Sequence, residues 1–338
     1  MQQAIWQRLL QVLLLVLAAA SPACAQTSEA PPAQRTVLWL DPGDISLRNL
    51  FYGPGGKTDE PKGPMKFLKE EAGGSSPKFD VRDADGKKWR AKLSVEARPE
   101  TVANRLLWAV GYFGNEDYFF AELQVADLPP KLKRGQNYVT SGGVVHNVRL
   151  QRHPEENEKR TGNWDWRQNP FYGTREYNGL RVMMALLNNW DLKTTNNAIF
   201  KDREHPGTEI YEVSDLGASF GRGGPSVSDK VGKGSLQAYE RSRFISKIRP
   251  DYIDFDFPKR PPLIFLLSAP RAFCYYGHKI RWMGKHIPRA DAKWIGGLLA
   301  QLSHGQIEEA FRAAGYSPQE AEAFAAAVEK RIAALNQL

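Results

Sequence analysis

Residues 188–197 read Asn-Asn-Trp-Asp-Leu-Lys-Thr-Thr-Asn-Asn, and residues 213–217 read Val-Ser-Asp-Leu-Gly. These stretches supply two carboxylates, Asp191 and Asp215, and one amide, Asn196, five positions after the first carboxylate. Magnesium-dependent phosphoryl transfer uses such a set: one carboxylate orients the substrate hydroxyl, while the amide and the other carboxylate hold the metal on the phosphates. The side chains of Asp191, Asn196 and Asp215 offer oxygen ligands that could converge on one hard cation.

The residues between the two stretches predict a β-hairpin. Residues 197–200 and 209–213 are short runs rich in β-branched and aromatic residues, and Pro206 and Gly207 signal a turn between them. A hairpin returns the chain on itself, so we expect Asp215 to lie beside the loop from Asp191 to Asn196. The alternative is that these Asp and Asn residues only cap and turn loops.

A strand, a glycine-rich turn and two more strands are predicted between residues 65 and 93. The turn Gly73-Gly74-Ser75-Ser76-Pro77-Lys78 lets backbone N–H groups approach a phosphate closely, because glycine has no side chain. Lys92 lies in the third strand, from which its ammonium could reach the same phosphates. The alternatives are a plain hairpin tip and a solvated lysine.

A helix is predicted after these strands. Pro99 suits the first turn, Glu100 complements the helix dipole, and Gly111 suits the C-terminal end. Glu100 would then lie near the strand of Lys92 and fix the lysine by an ion pair. Glu96 is a rival partner for the lysine, and a carboxylate that serves only the first helical turn is a third reading.

Several common functional motifs are excluded. The run Gly55-Gly56-Lys57-Thr58 is not a phosphate-binding P-loop, because Phe51 occupies the position of the first glycine. The six histidines lack metal-ligand spacing, and no serine or cysteine nucleophile motif is present. No nucleic-acid-binding module is recognisable.

Aromatic residues and helix caps mark the second half of the chain. Trp164, Trp166 and Phe171 favour core packing, with a glycan-stacking surface as the alternative. Thr174 is placed to cap a helix that leads to Asp191. Capping boxes at 303–306 and 317–320 predict a helical C-terminus.

The N-terminus predicts export. Residues 1–25 contain Arg8, an apolar run and the cleavage motif Ala23-Cys24-Ala25, which together are typical of a signal peptide. Residues 26–35 form a flexible leader. We therefore expect a secreted or periplasmic protein without an integral membrane segment after cleavage. A lipoprotein anchored through Cys24 is the less favoured alternative.

Removal of the signal peptide leaves Cys274 as the remaining cysteine, so no internal disulfide can form. The formal charge of +8 in the full chain loses one positive charge with Arg8 and becomes +7. This charge favours acidic ligands such as nucleotide phosphates without establishing one.

The ordered motifs resemble the protein-kinase-like superfamily, and more narrowly the HipA-like kinases, which are related to phosphatidylinositol 4-kinases and atypical secretory-pathway kinases. Residues 73–78 are similar to the G-G-x-x-P-K phosphate loop of that group, and residues 85–92 to its strand that ends in the nucleotide lysine. Residues 100–111 fit its helix, and residues 148–152 occupy the place of its hinge. The resemblance spans residues 65–220.

The resemblance implies a bilobal α+β fold that binds ATP and Mg²⁺. A β-rich N-lobe with one main helix covers residues 36–150, and a mostly helical C-lobe covers 151–338. Asp191 is the catalytic aspartate, with Lys193 in the same loop, and Asn196 and Asp215 bind the metal. The implied nucleotide-binding residues are Gly73, Gly74, Ser75, Ser76, Lys78, Lys92, Glu100, Val148 and Leu150.

The chain also departs from the family pattern. Asn189-Trp190 replaces the His-Arg that precedes the catalytic aspartate in ordinary protein kinases, and an export signal is unusual for HipA-like enzymes. The functional prediction is an exported ATP-dependent phosphotransferase that acts on a hydroxyl of a protein, glycan or lipid. The alternative is a non-catalytic pseudokinase or ligand-binding module with the same fold.

Overall fold

The secondary structure follows the sequence pattern, and the fold of the described residues is mixed α+β. The structure, a computed structural model, describes residues 35–74, 76–155, 158–221, 232–257 and 280–338. The predicted signal peptide, the leader up to residue 34 and three residues singled out above lie outside these ranges, namely Cys24, Ser75 and Cys274.

The strands are β1 (Arg35–Val37), β2 (Met65–Glu71), β3 (Lys78–Arg82), β4 (Lys88–Leu93), β5 (Asp117–Ala126), β6 (Val139–Thr140), β7 (Val144–Arg152), β8 (Arg160–Gly162), β9 (Asn197–Lys201), β10 (Thr208–Val213), β11 (Ile245–Ile248), β12 (Tyr252–Phe255) and β13 (Ile287–Pro288). The α-helices are α1 (Ala97–Ala109), α2 (Arg175–Leu186), α3 (Leu236–Glu240), α4 (Arg289–Leu299), α5 (His304–Ala313) and α6 (Pro318–Asn336).

Strands β2, β3, β4, β7 and β5 close into a barrel in that order. The pairs are antiparallel except for the one that closes the ring, where β2 and β5 run parallel and Met65 lies opposite Val125. The glycine-rich turn joins β2 to β3, and Lys92 lies in β4, as predicted. The parallel closure was not predicted.

Alternation along the barrel strands separates an apolar interior from a charged exterior. Phe79, Trp89, Ala91 and Leu150 are among the fully buried residues of the interior. Their neighbours along the strands include charged residues that point outward: Asp80, Arg90, Lys92 and Arg149. The barrel therefore presents a charged surface to the rest of the molecule.

Helix α1 lies between the barrel and the C-terminal helices. Val102, Leu106 and Leu107 belong to the same buried cluster as apolar residues of α2, α4, α5 and α6. Glu100 and Arg105 of the same helix bind charged residues of the barrel strands. This orientation places Glu100 next to Lys92.

A second sheet has the order β1, β10, β9, β8. Strand β1 pairs parallel with β10, with Arg35 opposite Thr208, although the predicted N-lobe begins at residue 36. The described residues from Arg35 to Leu338 form one compact unit. A third sheet, β11–β12–β13, was not predicted from the sequence.

The predicted helix caps are present. The Thr174 side chain accepts a hydrogen bond from the backbone of Tyr177 at the start of α2. Ser303 with Gln306 and Ser317 with Glu320 form complete capping boxes at α5 and α6. Among the helices of the described residues, none is both long and apolar enough to cross a membrane.

Candidate active site

The β9–β10 hairpin joins the two stretches that the sequence singled out. Asn197 pairs with Val213 at the base of the hairpin, so the residues that flank it meet. The Asn196 carbonyl accepts hydrogen bonds from the backbone N–H groups of Ser214, at 2.8 Å, and Asp215, at 3.3 Å. The hairpin therefore sets Asp215 beside the loop that begins at Asp191, as predicted.

Side-chain amides shape the loop from residue 189 to 196. The Asn196 amide nitrogen donates to the Asp191 carbonyl at 2.7 Å, and the Asn189 amide oxygen accepts from the Asp191 backbone at 2.9 Å. The Lys193 ammonium lies 2.9 Å from the Asp191 carboxylate. Lys193 thus provides a positive charge directly at the predicted catalytic aspartate.

Lys92 lies at the centre of a cluster of carboxylates. Its ammonium is 2.8 Å from Glu100, 3.1 Å from Glu96 and 3.3 Å from Asp215. Lys92 and Asp215 are 123 residues apart in sequence, so only the tertiary fold brings them together. Glu96 and Glu100, the two partners that the sequence offered for the lysine, therefore both contact it, and the contact of Glu100 is the shorter.

A chain of buried charges holds Glu100 in place. Arg149 of β7 lies 2.9 Å from Glu100 and 2.8 Å from Asp117, and Arg105 of α1 lies 2.7 Å from Asp117. All four side chains are almost fully buried. Removal of one member would leave an opposite charge uncompensated in the interior, so the chain fixes α1 against the barrel.

These charges set the ionisation of the site. Burial alone would lower the pKa of Lys92, but attraction to Glu100, Asp215 and Glu96 outweighs burial and raises it. For Glu96, burial opposes ionisation, yet Lys92 and Lys233 together hold its pKa at about 2. Near neutral pH the lysine is therefore a cation beside an ionised Glu96.

The glycine-rich turn touches the same cluster. The Ser76 hydroxyl donates to Glu96 at 2.7 Å. Gly74 has a φ of 76°, and a Cβ there would lie 3.2 Å from the Lys78 ammonium. Burial, followed by repulsion from Arg90 and Lys92, lowers the pKa of Lys78. A Cβ at Gly73 would meet no described atom within 4 Å.

Two contacts at Glu96 were not predicted from the sequence. Lys233, which is 137 residues from Glu96 in the sequence, forms an ion pair with Glu96. Gly217 packs against the same side chain, and a Cβ at this position would be 2.7 Å from the Glu96 Cβ. In the sequence, the glycine of Asp215-Leu216-Gly217 indicates that another group approaches the backbone closely at this position. It does not indicate which residue that group belongs to.

Val148 and Leu150, which the resemblance assigned to the nucleotide, point away from the cluster. Both side chains are fully buried inside the barrel, because strand alternation turns them to the opposite face from Arg149. A ligand at Lys92 could meet only their backbone atoms.

The aromatic residues at 164–171 pack in the core. Trp164 and Trp166 are buried, and Phe171 packs against the same cluster. The Trp164 indole donates to the Glu212 carbonyl at 3.0 Å. The glycan-stacking alternative is therefore wrong for Trp164 and Trp166, whereas Phe171 remains partly exposed.

Comparisons with known proteins give a weak structural likeness. No protein-family model matches the sequence, and no curated protein matches it. A crystal structure of the Golgi casein kinase is 12% identical with a TM-score of 0.39, covering 83% of this chain and 73% of that chain. A structure of the Golgi casein kinase with Mn/ADP bound is 11% identical with a TM-score of 0.34, covering 82% and 76%. Likeness at this level assigns neither an activity nor a ligand to this chain.

Proposed function

We propose that this protein is an exported, ATP- and Mg²⁺-dependent phosphotransferase of the protein-kinase-like type. The observation that carries the proposal is the contact between Lys92 and Asp215, with Glu100 on the other side of the lysine. A phosphate-binding lysine and a metal-binding aspartate must meet in this way to act on one triphosphate.

The residues at the cluster fit a hard divalent cation. Carboxylate oxygens of Glu96, Glu100 and Asp215 lie within 4.8 Å of one another. Asn196 uses its amide nitrogen on the Asp191 carbonyl, which leaves the amide oxygen as a ligand atom. Oxygen donors of this kind suit Mg²⁺, and Asp215 and Asn196 are the residues that would hold it. A bound cation would neutralise charge on the transferred phosphoryl group.

The chain's own residues account for the remaining steps. Asp191 accepts the proton of an acceptor hydroxyl, whose oxygen forms a bond to the γ-phosphorus while the bond from that phosphorus to the β–γ bridging oxygen breaks. ADP leaves with the bridging oxygen. Lys92 holds the phosphates, and Glu100 with Arg149 fixes the lysine. The acceptor class we propose is a hydroxyl on a protein, glycan or lipid.

The test is transfer of label from ATP labelled at the γ-phosphate, with an extracellular extract as the source of acceptors. Asp215→Ala is expected to abolish Mg²⁺-dependent transfer, whereas Asp85→Ala, an exposed turn carboxylate, is expected to retain it. Transfer that survives Asp215→Ala would contradict the proposal. In a parallel assay with ATP labelled at the α-phosphate, label in the product would instead identify nucleotidyl transfer at the same site.

The non-catalytic alternative predicts a different result. A pseudokinase would bind ATP but transfer no label in any extract or with any divalent metal. Nucleotide binding without transfer in the wild-type protein would therefore favour that reading.

A further inference from the structure

A cavity of about 340 Å³ lies between the end of β7, the loop after α1 and the β9–β10 hairpin. Leu40, Phe113, Phe200 and Ile210 give it apolar walls. Its described lining includes Gln151 and Arg152 of the segment compared with the hinge, but not Lys92, Glu100 or Asp215, so it lies outside the cluster at Lys92. Its size suits a small ligand.

Glu212 lines this cavity with a carboxyl group that has a buried and unpaired oxygen. In the hairpin, Ile210 lies opposite Phe200 and Glu212 lies opposite Ala198, so these side chains share one face. Glu212 is only 7% exposed, and no described residue donates a hydrogen bond to its buried Oε1. Burial of a carboxyl oxygen without a donor is costly, and a ligand with N–H groups would remove the cost.

The charges around the cavity favour a cation. The acidic lining residues besides Glu212 are Glu116, Glu158, Asp202 and Glu204, and the basic ones are Arg152, Lys201 and Arg203. The Arg152 guanidinium is already bound by Glu116 at 2.7 Å and by Glu158 at 2.8 Å. His205 is likewise bound to Asp202. None of these lining cations is paired with Glu212.

We propose that this cavity binds a small, flat ligand with an amidinium or guanidinium head, and that Glu212 is the anchoring carboxylate. Two parallel N–H donors of such a head match the two oxygens of one carboxylate. Phe113 and Phe200 line the same cavity, and aromatic rings are favourable neighbours for a cation. The proposal does not depend on phosphoryl transfer.

The ionisation of Glu212 agrees with this geometry. Burial raises the pKa of Glu212 to about 7; Arg160 and Arg149 oppose the shift, and Asp117 adds to it. The other charged groups at Glu212 are the cavity-lining residues named above. A cation that binds the carboxylate favours its ionised form, so the affinity should rise with pH through this range.

The experiment is calorimetric titration of the protein with benzamidine at pH 8, with the uncharged benzamide as the matched probe. Benzamidine is expected to bind and benzamide to bind at least tenfold more weakly. Glu212→Gln should weaken benzamidine at least tenfold, whereas Glu122→Gln, at an exposed position of β5 outside the cavity, should change it less than threefold. Equal binding of the two probes, no binding of benzamidine to the wild-type protein at millimolar concentration, or unchanged affinity after Glu212→Gln would overturn the proposal.

A second measurement uses only the wild-type protein and therefore does not depend on the variant folding. Lowering the pH from 8 to 6 should weaken benzamidine about tenfold, because about one in eleven Glu212 side chains is ionised one unit below a pKa of about 7. Affinity that does not change over this range would count against Glu212 as the anchor. Methylguanidinium and a short arginine peptide are titrated in parallel. Tighter binding of methylguanidinium would indicate a free small ligand, and tighter binding of the peptide would indicate an arginine side chain.

Discussion

At the scale of single residues, the site depends on one lysine with three carboxylates around it. Lys92 is nearly buried, and its contacts to Glu96, Glu100 and Asp215 join the barrel, α1 and the segment after the hairpin. Desolvation of these groups is offset only while the charges remain paired. The same contacts therefore serve both stability and the proposed chemistry.

Lys92→Met is expected to impair both properties. It removes a preorganised cation from the phosphates, which should lower transfer about 100-fold or more. It also leaves Glu100 with one cation fewer in the interior, which should lower the free energy of unfolding by about 3 kcal/mol. Urea unfolding and the label-transfer assay measure the two effects. Lys62→Met, an exposed lysine paired with Asp85, should leave both nearly unchanged, and an equal loss there would contradict this explanation.

The sequence predicted which residues belong to this cluster better than it predicted the contacts that they make. The order of motifs indicated Lys92 and Asp215, and the Pro206-Gly207 turn indicated the hairpin that positions Asp215. The choice between Glu96 and Glu100 remained open, because both lie within one helical turn of the start of α1. Arg149 and Lys233 were not assigned to the cluster, since their contacts depend on pairing between distant segments.

At the scale of elements, two glycines of α4 show how closely this helix packs against α6. Gly296 and Gly297 are neighbours in α4, but a Cβ at Gly296 would lie 2.8 Å from the Leu335 Cβ in α6, whereas a Cβ at Gly297 would meet nothing within 4 Å. The two positions therefore differ in tertiary contact and not in helix propensity.

Gly296→Ala is expected to destabilise the protein by about 1–3 kcal/mol, because α4 and α6 must separate to admit the methyl group. Gly297→Ala should instead stabilise it by up to about 1 kcal/mol, since alanine favours a helix over glycine. Thermal or urea unfolding of both variants tests the pair. Similar effects of the two substitutions would contradict the packing of α4 on α6.

His304 links α5 to α6 and should make this link sensitive to pH. Hydrogen bonds to Glu329 and then Glu322 raise the pKa of His304 from 6.5 to about 9. Because the folded pKa is the higher one, the contribution to stability is complete below pH 6.5 and is lost as the pH rises through 9. His304→Gln should therefore reduce the decline in melting temperature between pH 6.5 and 9, whereas His146→Gln should leave it unchanged. An unaltered decline in His304→Gln would show that other groups cause it.

The elements themselves were largely predictable, because local signals define them. Thr174, Ser303 and Ser317 begin their helices as their residue types indicate. The closure of the barrel through β2 and β5 and the small sheet β11–β13 were not predicted. Both depend on strand twist and on contacts between segments that share no local pattern.

At the scale of the whole molecule, α1 connects two cores. Its apolar side belongs to the cluster of the C-terminal helices, and its charged side binds the barrel through Glu100 and Arg105. Strand β1 also joins the sheet that contains β10. The proposed site therefore lies where the barrel, α1 and the hairpin meet.

The most direct test of the proposed site is a thermal shift with ATP, with Mg²⁺ and with both, in wild-type protein and Asp215→Ala. A ligand that binds the folded state stabilises it by mass action, by ~2.7 kcal/mol at one hundred times its dissociation constant. ATP with Mg²⁺ is expected to raise the melting temperature more than the sum of the separate shifts, and Asp215→Ala to remove the excess. An ATP shift that does not depend on Mg²⁺, or an excess that survives in Asp215→Ala, would contradict a triphosphate and metal site between Lys92 and Asp215.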